Sequence, residues 1–170
     1  MNEQIETIVD AIGQRFDSSV YEYQGEVSLI LAAEHIVDVC QALRDEFDFE
    51  LLNEQTAVDY WPESSPRFHV IYRLRSLKNN LILGLRVPLN GNAPKMPSII
   101  SVYANANWFE REIWDMFGIR FDGHPDLRRI VMPYDWEGYP LRKDYPLGYE
   151  EVQFTFNFDE IDLRKPYATE

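Results

Sequence analysis

A chain of 170 residues, 45% of them hydrophobic, is long enough to enclose one hydrophobic core, so we expect a single domain. Its single cysteine, Cys40, excludes an internal disulfide framework, and the net charge of −13 argues against nucleic acid or an anionic membrane surface as the main partner. No apolar run reaches the roughly 18 residues of a membrane span, and the acidic N-terminus resembles neither a secretory signal nor a transit peptide. These features predict a soluble cytoplasmic protein.

The charge is spread unevenly along the chain. Residues 1–60 contain 14 acidic and 2 basic residues, a balance of −12, whereas residues 61–106 contain 6 basic and 1 acidic residue, a balance of +5. Residues 107–146 come to −2 and residues 147–170 to −4. A solvated acidic face that aids solubility explains this pattern, and so does the docking of acidic and basic faces onto neighbours of opposite sign.

The first half of the chain predicts two helices separated by a hairpin. Residues 3–16 and 34–47 each carry apolar residues at helical spacing, and Cys40 lies on the second apolar stripe as a small buried hydrophobe. Between these helices, VYEYQGEVSLILAA predicts two strands joined by a tight turn at Gln24-Gly25.

The middle of the chain predicts further strands. FHVIYRLRS alternates apolar and polar residues, as a half-buried strand does, and KNN then turns into LILGLRV as a second hairpin. PLNGNAPKMP is a predicted loop. The order helix, strands, helix, strands predicts an α+β fold over residues 1–106, a two-layer domain in which a mostly antiparallel sheet packs against helices.

NWFEREIWDMFG predicts a short helix of about three turns. Asn107 is a favourable N-cap, Glu110 stands where its carboxylate can bond back to that cap, and Gly118 suits a left-handed C-cap. Arg111 and Asp115 are spaced for an i,i+4 ion pair. The helix is thus expected to close its own ends and to satisfy most of its own charges.

FDGHPDLRRIVMPYDWEGYPLRKDYPLG predicts an extended arm after that helix, and residues 107–146 form one helix, turn and arm of the same domain. Pro125 and Asp126 suit the first turn of a short helix. Three later prolines exclude a central strand, while the aromatic and aliphatic residues are too apolar for a solvated linker. The interleaved arginines and carboxylates favour pairing within the chain or across a subunit interface.

Catalytic and metal-binding patterns are weak. One cysteine and three histidines give no zinc or iron–sulfur spacing, and no glycine-rich phosphate-binding motif is present. Glu110, Glu112 and Asp115 lie close together on the helix, and paired carboxylates can act as acid and base. Glu112 and His124 have no local partner in the sequence, although His124 also suits a turn. A stand-alone enzyme that uses Glu112 with His124 is therefore kept as an alternative.

NWFEREIWDMFGIRFDGHPDLRRIVMPYDWEGYPLRKDYPL resembles the signature region of the thirty-kilodalton subunit family, the C subunit of bacterial NADH:quinone oxidoreductase (respiratory complex I). EREIWDMFGI, GHPDLRRI and DWEGYPLRKDYP occur in the family's order over some forty residues. The resemblance implies a connecting subunit of the peripheral arm that carries no redox centre. FMN and iron–sulfur clusters in other subunits would pass electrons from NADH to quinone, coupled to proton translocation.

The resemblance also implies partners and a location. The expected partners are chiefly the hydrogenase-large-subunit-like D subunit, and also the B subunit and the ferredoxin-like subunit, on the cytoplasmic side of the cell membrane. An equivalent scaffold subunit of a ferredoxin-linked or hydrogenase-type membrane complex is the alternative. Residues 147–170 form a tail for partner contact, whose VQFTFNF run suits a strand in a partner's sheet or in its own domain. The expected interface residues are Glu110, Arg111, Glu112, Trp114, Asp115, His124, Arg128, Arg129, Trp136, Arg142, Lys143 and Asp144.

Overall fold

The computed structural model describes residues 3–146, 159–160 and 163, and the predicted tail strand in residues 147–170 lies outside these residues. A 3₁₀ turn at Ala33–His35 leads into the second helix. The helices are α1 (Glu3–Arg15), α2 (Ile36–Phe47) and α3 (Ala106–Phe117). The strands are β1 (Ser18–Tyr23), β2 (Glu26–Leu31), β3 (Leu51–Asp59), β4 (Phe68–Ser76), β5 (Leu81–Leu89), β6 (Lys95–Pro97) and β7 (Arg120–Asp122).

The main sheet has five strands in the order β1-β2-β5-β4-β3. Its neighbouring strands are antiparallel except for β2 and β5, which run parallel, and β6 pairs with β7 in a small parallel ribbon. The β1–β2 hairpin turns at Gln24 and Gly25, whose φ angles of 50° and 83° suit a two-residue type I′ turn. The predicted α+β fold with a mostly antiparallel sheet is confirmed.

One face of the sheet forms the core together with the apolar stripes of the helices. β4 shows the alternation most clearly, because Phe68, Val70, Tyr72 and Leu74 are all fully buried. Cys40 on α2 is fully buried in the same core, and this burial raises the pKa of its thiol. The prediction that Cys40 acts as a small hydrophobe is confirmed.

α3 begins before the position that the sequence predicts. The residue at its N-cap position is Asn105, which makes no side-chain capping bond and instead donates its amide to the Leu52 carbonyl at 2.8 Å. Asn107 lies inside the helix, so the predicted N-cap there is wrong. The prediction for the other end is confirmed, since Gly118 has a φ of 71° and donates its N–H to the Trp114 carbonyl at 2.9 Å.

Residues 123–146 form neither a helix nor a strand, so the short helix predicted at Pro125 and Asp126 is wrong. The Asp126 N–H is taken by Nδ1 of His124 at 3.1 Å, which closes a turn at this point. The N–H groups of residues 130–132 all donate to one carboxylate of α3, so they are not free for helical hydrogen bonds.

Gly118 is the position at which we expect a single methyl group to disturb the packing of the arm most. A Cβ there would lie 2.4 Å from Cε2 of Tyr139, in addition to the positive φ that disfavours an L side chain. We expect Gly118→Ala to lower the free energy of unfolding by roughly 2–4 kcal/mol, measured by urea denaturation. Gly123→Ala is the matched control, because it also has a positive φ but meets nothing within 4 Å. Equal losses in the two variants would contradict the contact with Tyr139.

Candidate functional site

The carboxylate of Asp115 holds the start of the arm against α3. Its Oδ2 accepts hydrogen bonds from the N–H groups of Ile130, Val131 and Met132 at 3.0, 2.8 and 2.9 Å. Its Oδ1 accepts a bond from Nη1 of Arg129 at 2.5 Å. Burial by itself would raise the pKa of Asp115, but these donors outweigh it and hold the pKa below its ordinary value.

Arg129 extends this attachment to the next turn of the arm. Its Nη2 donates to the carbonyls of Trp136 and Gly138, both at 2.9 Å, so one guanidinium connects α3 with two separate points of the arm. Its charge lies 5.7 Å from the ring centroids of both Trp114 and Tyr139. Trp114 and Trp136 are both half-buried, and Arg129 contacts the ring of Trp114 and the carbonyl of Trp136.

The predicted ion pair between Arg111 and Asp115 is wrong. The oxygens of the Asp115 carboxylate accept hydrogen bonds from residues of the arm. Arg111 instead donates Nε to the carbonyl of Arg128 at 3.2 Å. The Arg111 guanidinium also lies 5.1 Å from the ring centroid of Trp108, which is exposed. Arg111 and Asp115 therefore both bind α3 to the arm, which their spacing within the helix did not reveal.

A second cluster is centred on Arg67, which is completely buried just before β4. Its Nε and Nη2 donate to the two carboxylate oxygens of Asp59 at 3.1 and 2.9 Å, and Nη2 also donates to Asp144 at 2.6 Å. Its Nη1 donates to the side chain of Asn92 at 2.6 Å. The hydrogen bond to Asp59 is the first cause that raises the pKa of Arg67, and the bond to Asp144 is the second. This cluster attaches the far end of the arm to the sheet.

Arg142 and Lys143 complete the attachment at that far end. Nε of Arg142 donates to the Phe117 carbonyl at 2.5 Å, and its guanidinium lies 4.7 Å from the Tyr139 ring centroid. The backbone N–H of Lys143 donates to Asp59 at 3.0 Å, whereas the Lys143 side chain is exposed. Arg142 thus has an internal structural role, and the side chain of Lys143 faces solvent.

Glu110 is fully buried and does not bond back to the start of its own helix, so the predicted capping role is wrong. Its carboxylate accepts hydrogen bonds from Oγ of Ser98 at 2.5 Å and from the N–H of Ile99 at 2.8 Å. Burial raises the pKa of Glu110 to about 7, although both hydrogen bonds act in the opposite direction. Glu110 therefore joins α3 to the segment after β6.

His124 and Glu112 are not brought together as an acid and base pair. Within the described part of the chain, no hydrogen bond or ion pair joins them. His124 closes its turn through Nδ1, and its Nε2 lies 3.3 Å from the Asn107 carbonyl oxygen. Glu112 is exposed on α3. The arrangement gives the stand-alone enzyme hypothesis no geometric support.

The outward side of the arm carries exposed residues next to this buried polar scaffold. We define the outer arm surface as Arg128, Ile130, Val131, Tyr134 and Leu141. Tyr134 is 94% exposed, and the Arg128 side chain is 71% exposed beside Asp126. Apolar and aromatic side chains held outward by a fixed backbone are typical of protein-binding surfaces.

The sequence did not point to Asp59, Arg67, Asn92 or Ser98, although all four position the arm or α3. The available signal was the pairing of β3 with β4, because their register sets Asp59 opposite Phe68, next to Arg67. Opposite charges on either side of a hairpin loop are neighbours once the pairing is known. Asn92 and Ser98 lie in loops, where no periodicity indicated a partner.

The described residues also bear on metal and membrane binding. No group of three or more His, Cys, Asp or Glu side chains among them is arranged to hold a metal ion. In the part of the chain that the structure covers, no helix combines the length and apolar character needed to cross a membrane.

Comparisons with known proteins identify the family. Residues 29–151 match the family described as respiratory-chain NADH dehydrogenase, 30 Kd subunit. The C subunit of NADH-quinone oxidoreductase from Roseiflexus sp. (strain RS-1) is 49% identical over 151 residues, which cover 88% of this chain and 86% of that protein. The C subunit from Geobacter sulfurreducens is 44% identical over 128 residues, covering 75% of this chain and 79% of that protein.

Solved structures share the fold. The trypsin-resistant fragment (1-134) of Nqo5 matches with a TM-score of 0.64 and 28% identity, covering 73% of this chain and 99% of that chain. A chain of the membrane-bound sulfane sulfur reductase, an archaeal respiratory membrane complex, matches with a TM-score of 0.74 over 86% of this chain and 87% of that one. Its identity is 20%, so this second match shows the fold alone.

The protein is therefore an α+β chain whose arm is fastened to its own helix and sheet through buried ion pairs. It belongs to the family of 30-kDa subunits of respiratory-chain NADH dehydrogenase, and the resemblance seen in the sequence is confirmed.

Asp115→Asn tests the attachment of the arm to α3. We expect a loss of roughly 3–5 kcal/mol in the free energy of unfolding, because the amide no longer neutralises the half-buried Arg129. Trypsin should cleave the variant faster after Arg128 and Arg129, measured by mass spectrometry of timed digests. Glu112→Gln, on the exposed side of the same helix, should change stability by less than about 0.5 kcal/mol. Equal stability and cleavage rates in both variants would contradict this assignment.

Glu110→Gln tests the buried carboxyl. Its folded-state pKa of about 7 lies above the ordinary value of 4.5, so the folded state binds more protons between these pH values. The favourable contribution is complete below pH 4.5 and is lost as the pH rises through 7. From pH 5 to pH 8, the wild type should therefore lose up to roughly 3 kcal/mol relative to Glu110→Gln in urea denaturation. A constant difference between the two proteins over this range would refute the raised pKa.

Proposed function

We propose that this chain is a structural connecting subunit of the peripheral arm of a proton-translocating NADH:quinone oxidoreductase. It supports electron transfer from NADH, through FMN and iron–sulfur clusters in other subunits, to quinone. The observation that carries this proposal is that charged residues of α3 and of the arm form their contacts within the domain. Asp115, Arg129, Arg142 and Asp144 bind the arm to its own domain, and apolar side chains face outward.

The donor set of the chain does not fit an iron–sulfur cluster. Such clusters are held by several thiolates, whereas Cys40 is the one cysteine of the sequence. Cys40 is fully buried in the core, and burial raises the pKa of its thiol, which opposes the thiolate form that a metal requires. The redox centres of the proposed complex are accordingly assigned to other subunits.

The proposed chief partner is the hydrogenase-large-subunit-like D subunit, with the B subunit and the ferredoxin-like subunit nearby. A protein of Methylococcus capsulatus named as a C/D subunit of NADH-quinone oxidoreductase supports this choice. It is 43% identical over 165 residues, which cover 89% of this chain but 28% of that protein. A segment similar to this chain is thus joined there to a much longer polypeptide. The proposed location is the cytoplasmic side of the cell membrane, through the complex.

A scaffold subunit of a ferredoxin-linked or hydrogenase-type membrane complex is the second candidate, favoured by the shared fold with a chain of the archaeal sulfane sulfur reductase complex. Affinity purification of the tagged chain from its native membrane separates the two. A complex that contains FMN, oxidises NADH and reduces quinone supports the first candidate. A complex that retains the chain but accepts electrons only from ferredoxin or hydrogen refutes it.

Arg128 and Arg142 separate an interface role from a structural role. We expect Arg128→Ala to leave the melting temperature of the isolated chain unchanged, because this side chain is 71% exposed. The same substitution should weaken retention of the partner subunit by about tenfold or more, since a partner carboxylate would lose its counter-charge. Arg142→Ala should instead lower the melting temperature by several degrees, because it removes the bonds to Phe117 and Asn92. Pull-down yields from the Arg128 variant that equal the wild type would contradict its interface role.

A further inference from the structure

The face of the five-stranded sheet that points away from the core has an open trough at its centre. The strand register brings Tyr21, Ser28, Gly84, Arg73 and Glu54 into one row across the five strands. Ser28 and Gly84 form a low floor, and the Ser28 hydroxyl leans so far over Gly84 that a Cβ there would lie 2.2 Å from it. The trough has a cavity volume of about 590 Å³.

The two arginines of this trough differ in whether a carboxylate lies beside them. Arg73 forms an ion pair with Glu26, and its Nη1 lies 3.9 Å from a carboxylate oxygen of Glu54. Arg86 stands one row further along, with its guanidinium 4.9 Å from the ring centroid of Tyr21. No carboxylate among the described residues forms an ion pair with Arg86, and its Nε is buried without a hydrogen-bond partner in this part of the chain.

Two further side chains on the same face of β4, those of Arg75 and His69, supply no negative charge to Arg86. Arg75 lies opposite Ile82, two rows away from Arg86, and donates to the side-chain carbonyl of Asn80 at 3.1 Å. His69 lies on this face too. Burial is the larger cause that lowers its pKa and the charge of Arg86 is the smaller one, and the lowered pKa favours the neutral ring. A guanidinium fixed against an aromatic ring and lacking an acceptor is prepared for a carboxylate.

We propose that this trough binds an acidic segment of another polypeptide, one of whose carboxylates accepts hydrogen bonds from Arg86. The charge complementarity is local, because Glu26 and Glu54 pair with Arg73, and no carboxylate of the described residues pairs with Arg86. A polypeptide is the proposed occupant because the lining of the trough spans all five strands, from Tyr21 on β1 to Thr56 on β3. Tyr21 and Tyr23 supply an aromatic wall for the apolar part of the segment.

This inference rests on the proposed function only in that the chain works within a larger complex. It names a surface different from the outer arm surface, because the trough is built from β1 to β5 and contains no residue of the arm. The chain would then contact its neighbours at two places, the outer arm surface and the trough on the sheet that contains Arg86.

Cross-linking in the intact complex identifies the occupant. Ile82 lines the trough and is 44% exposed, so a benzoylphenylalanine residue in its place should be tolerated and should point at the bound segment. After irradiation of the purified complex, we expect a cross-link to a peptide of another subunit with an Asp or Glu close to the linked residue. No cross-link to another chain, or a linked peptide without an acidic residue, would overturn the proposal.

Substitution of Arg86 provides the independent measurement. We expect Arg86→Gln to lower the retention of the chain in the complex about tenfold during a KCl titration. Arg86→Lys should give an intermediate retention, because lysine keeps the positive charge but lacks the paired N–H donors of the guanidinium. Arg120→Gln is the control, since its side chain is 74% exposed and lies on β7. Melting of the isolated variants shows whether the fold is intact. Equal retention of Arg86→Gln and wild type would refute the proposal.

Two further outcomes would assign the trough to another occupant and so overturn the proposal. One is concentration-dependent dimerisation of the isolated chain in sedimentation, abolished by Arg86→Gln, which would make a second copy the occupant. The other is binding of citrate to the isolated chain, abolished by the same substitution, which would indicate a small-anion site. If the wild type is itself not retained in any membrane complex, the proposed function fails; if it is retained while the variants match it, only this inference fails.

Discussion

The start of the arm is held against α3 by one carboxylate, that of Asp115. A side chain from α3 takes three consecutive backbone N–H groups of the arm and one guanidinium, which leaves no oxygen of that carboxylate for solvent. A segment rich in proline cannot satisfy its backbone by pairing with itself in a helix or sheet, so its donors need acceptors from elsewhere. Asp115 supplies them at one end. At the other end Asp59 accepts the Lys143 N–H, and Arg67 donates to the Asp144 carboxylate of the arm.

Buried ion pairs of this kind determine geometry more than they add stability. Taking Arg67 and Asp59 out of water costs much of what their attraction returns, so apolar residues of equal volume would stabilise the chain about as well. The directional bonds of the guanidinium nevertheless accept only one arrangement of sheet, loop and arm. A protein that presents a surface to neighbours benefits from such a fixed arrangement, because a preorganised surface loses little conformational entropy on binding.

This scaffold determines which side chains of α3 and the arm face inward and which face solvent. Polar groups that first suggested an active site turn inward and bind the chain to itself, as Glu110 does with Ser98 and Ile99. Side chains such as Tyr134 and Leu141, which are 94% and 53% exposed, are held outward. The proposed connecting function therefore depends on rigidity at the centre of the arm and on apolar contact at its surface.

The sequence by itself determined those features that arise between residues close along the chain. Periodicity predicted the three helices and the strands β1, β2, β4 and β5, Gln24-Gly25 predicted the hairpin turn, and Gly118 predicted the end of α3, because each depends on local backbone geometry. β3 and β7 were not predicted, and β6 lies in the segment PLNGNAPKMP, for which the prediction of a loop was wrong. Only the tertiary structure decided the partners of the charged residues. Local spacing offered Arg111 to Asp115, but folding brings the N–H groups of residues 130–132 to that carboxylate, and it joins Arg67 to Asp144 across 77 positions. A buried charge binds whichever donors the fold brings near it once water is excluded, and nearness in space is not written in the spacing of the sequence.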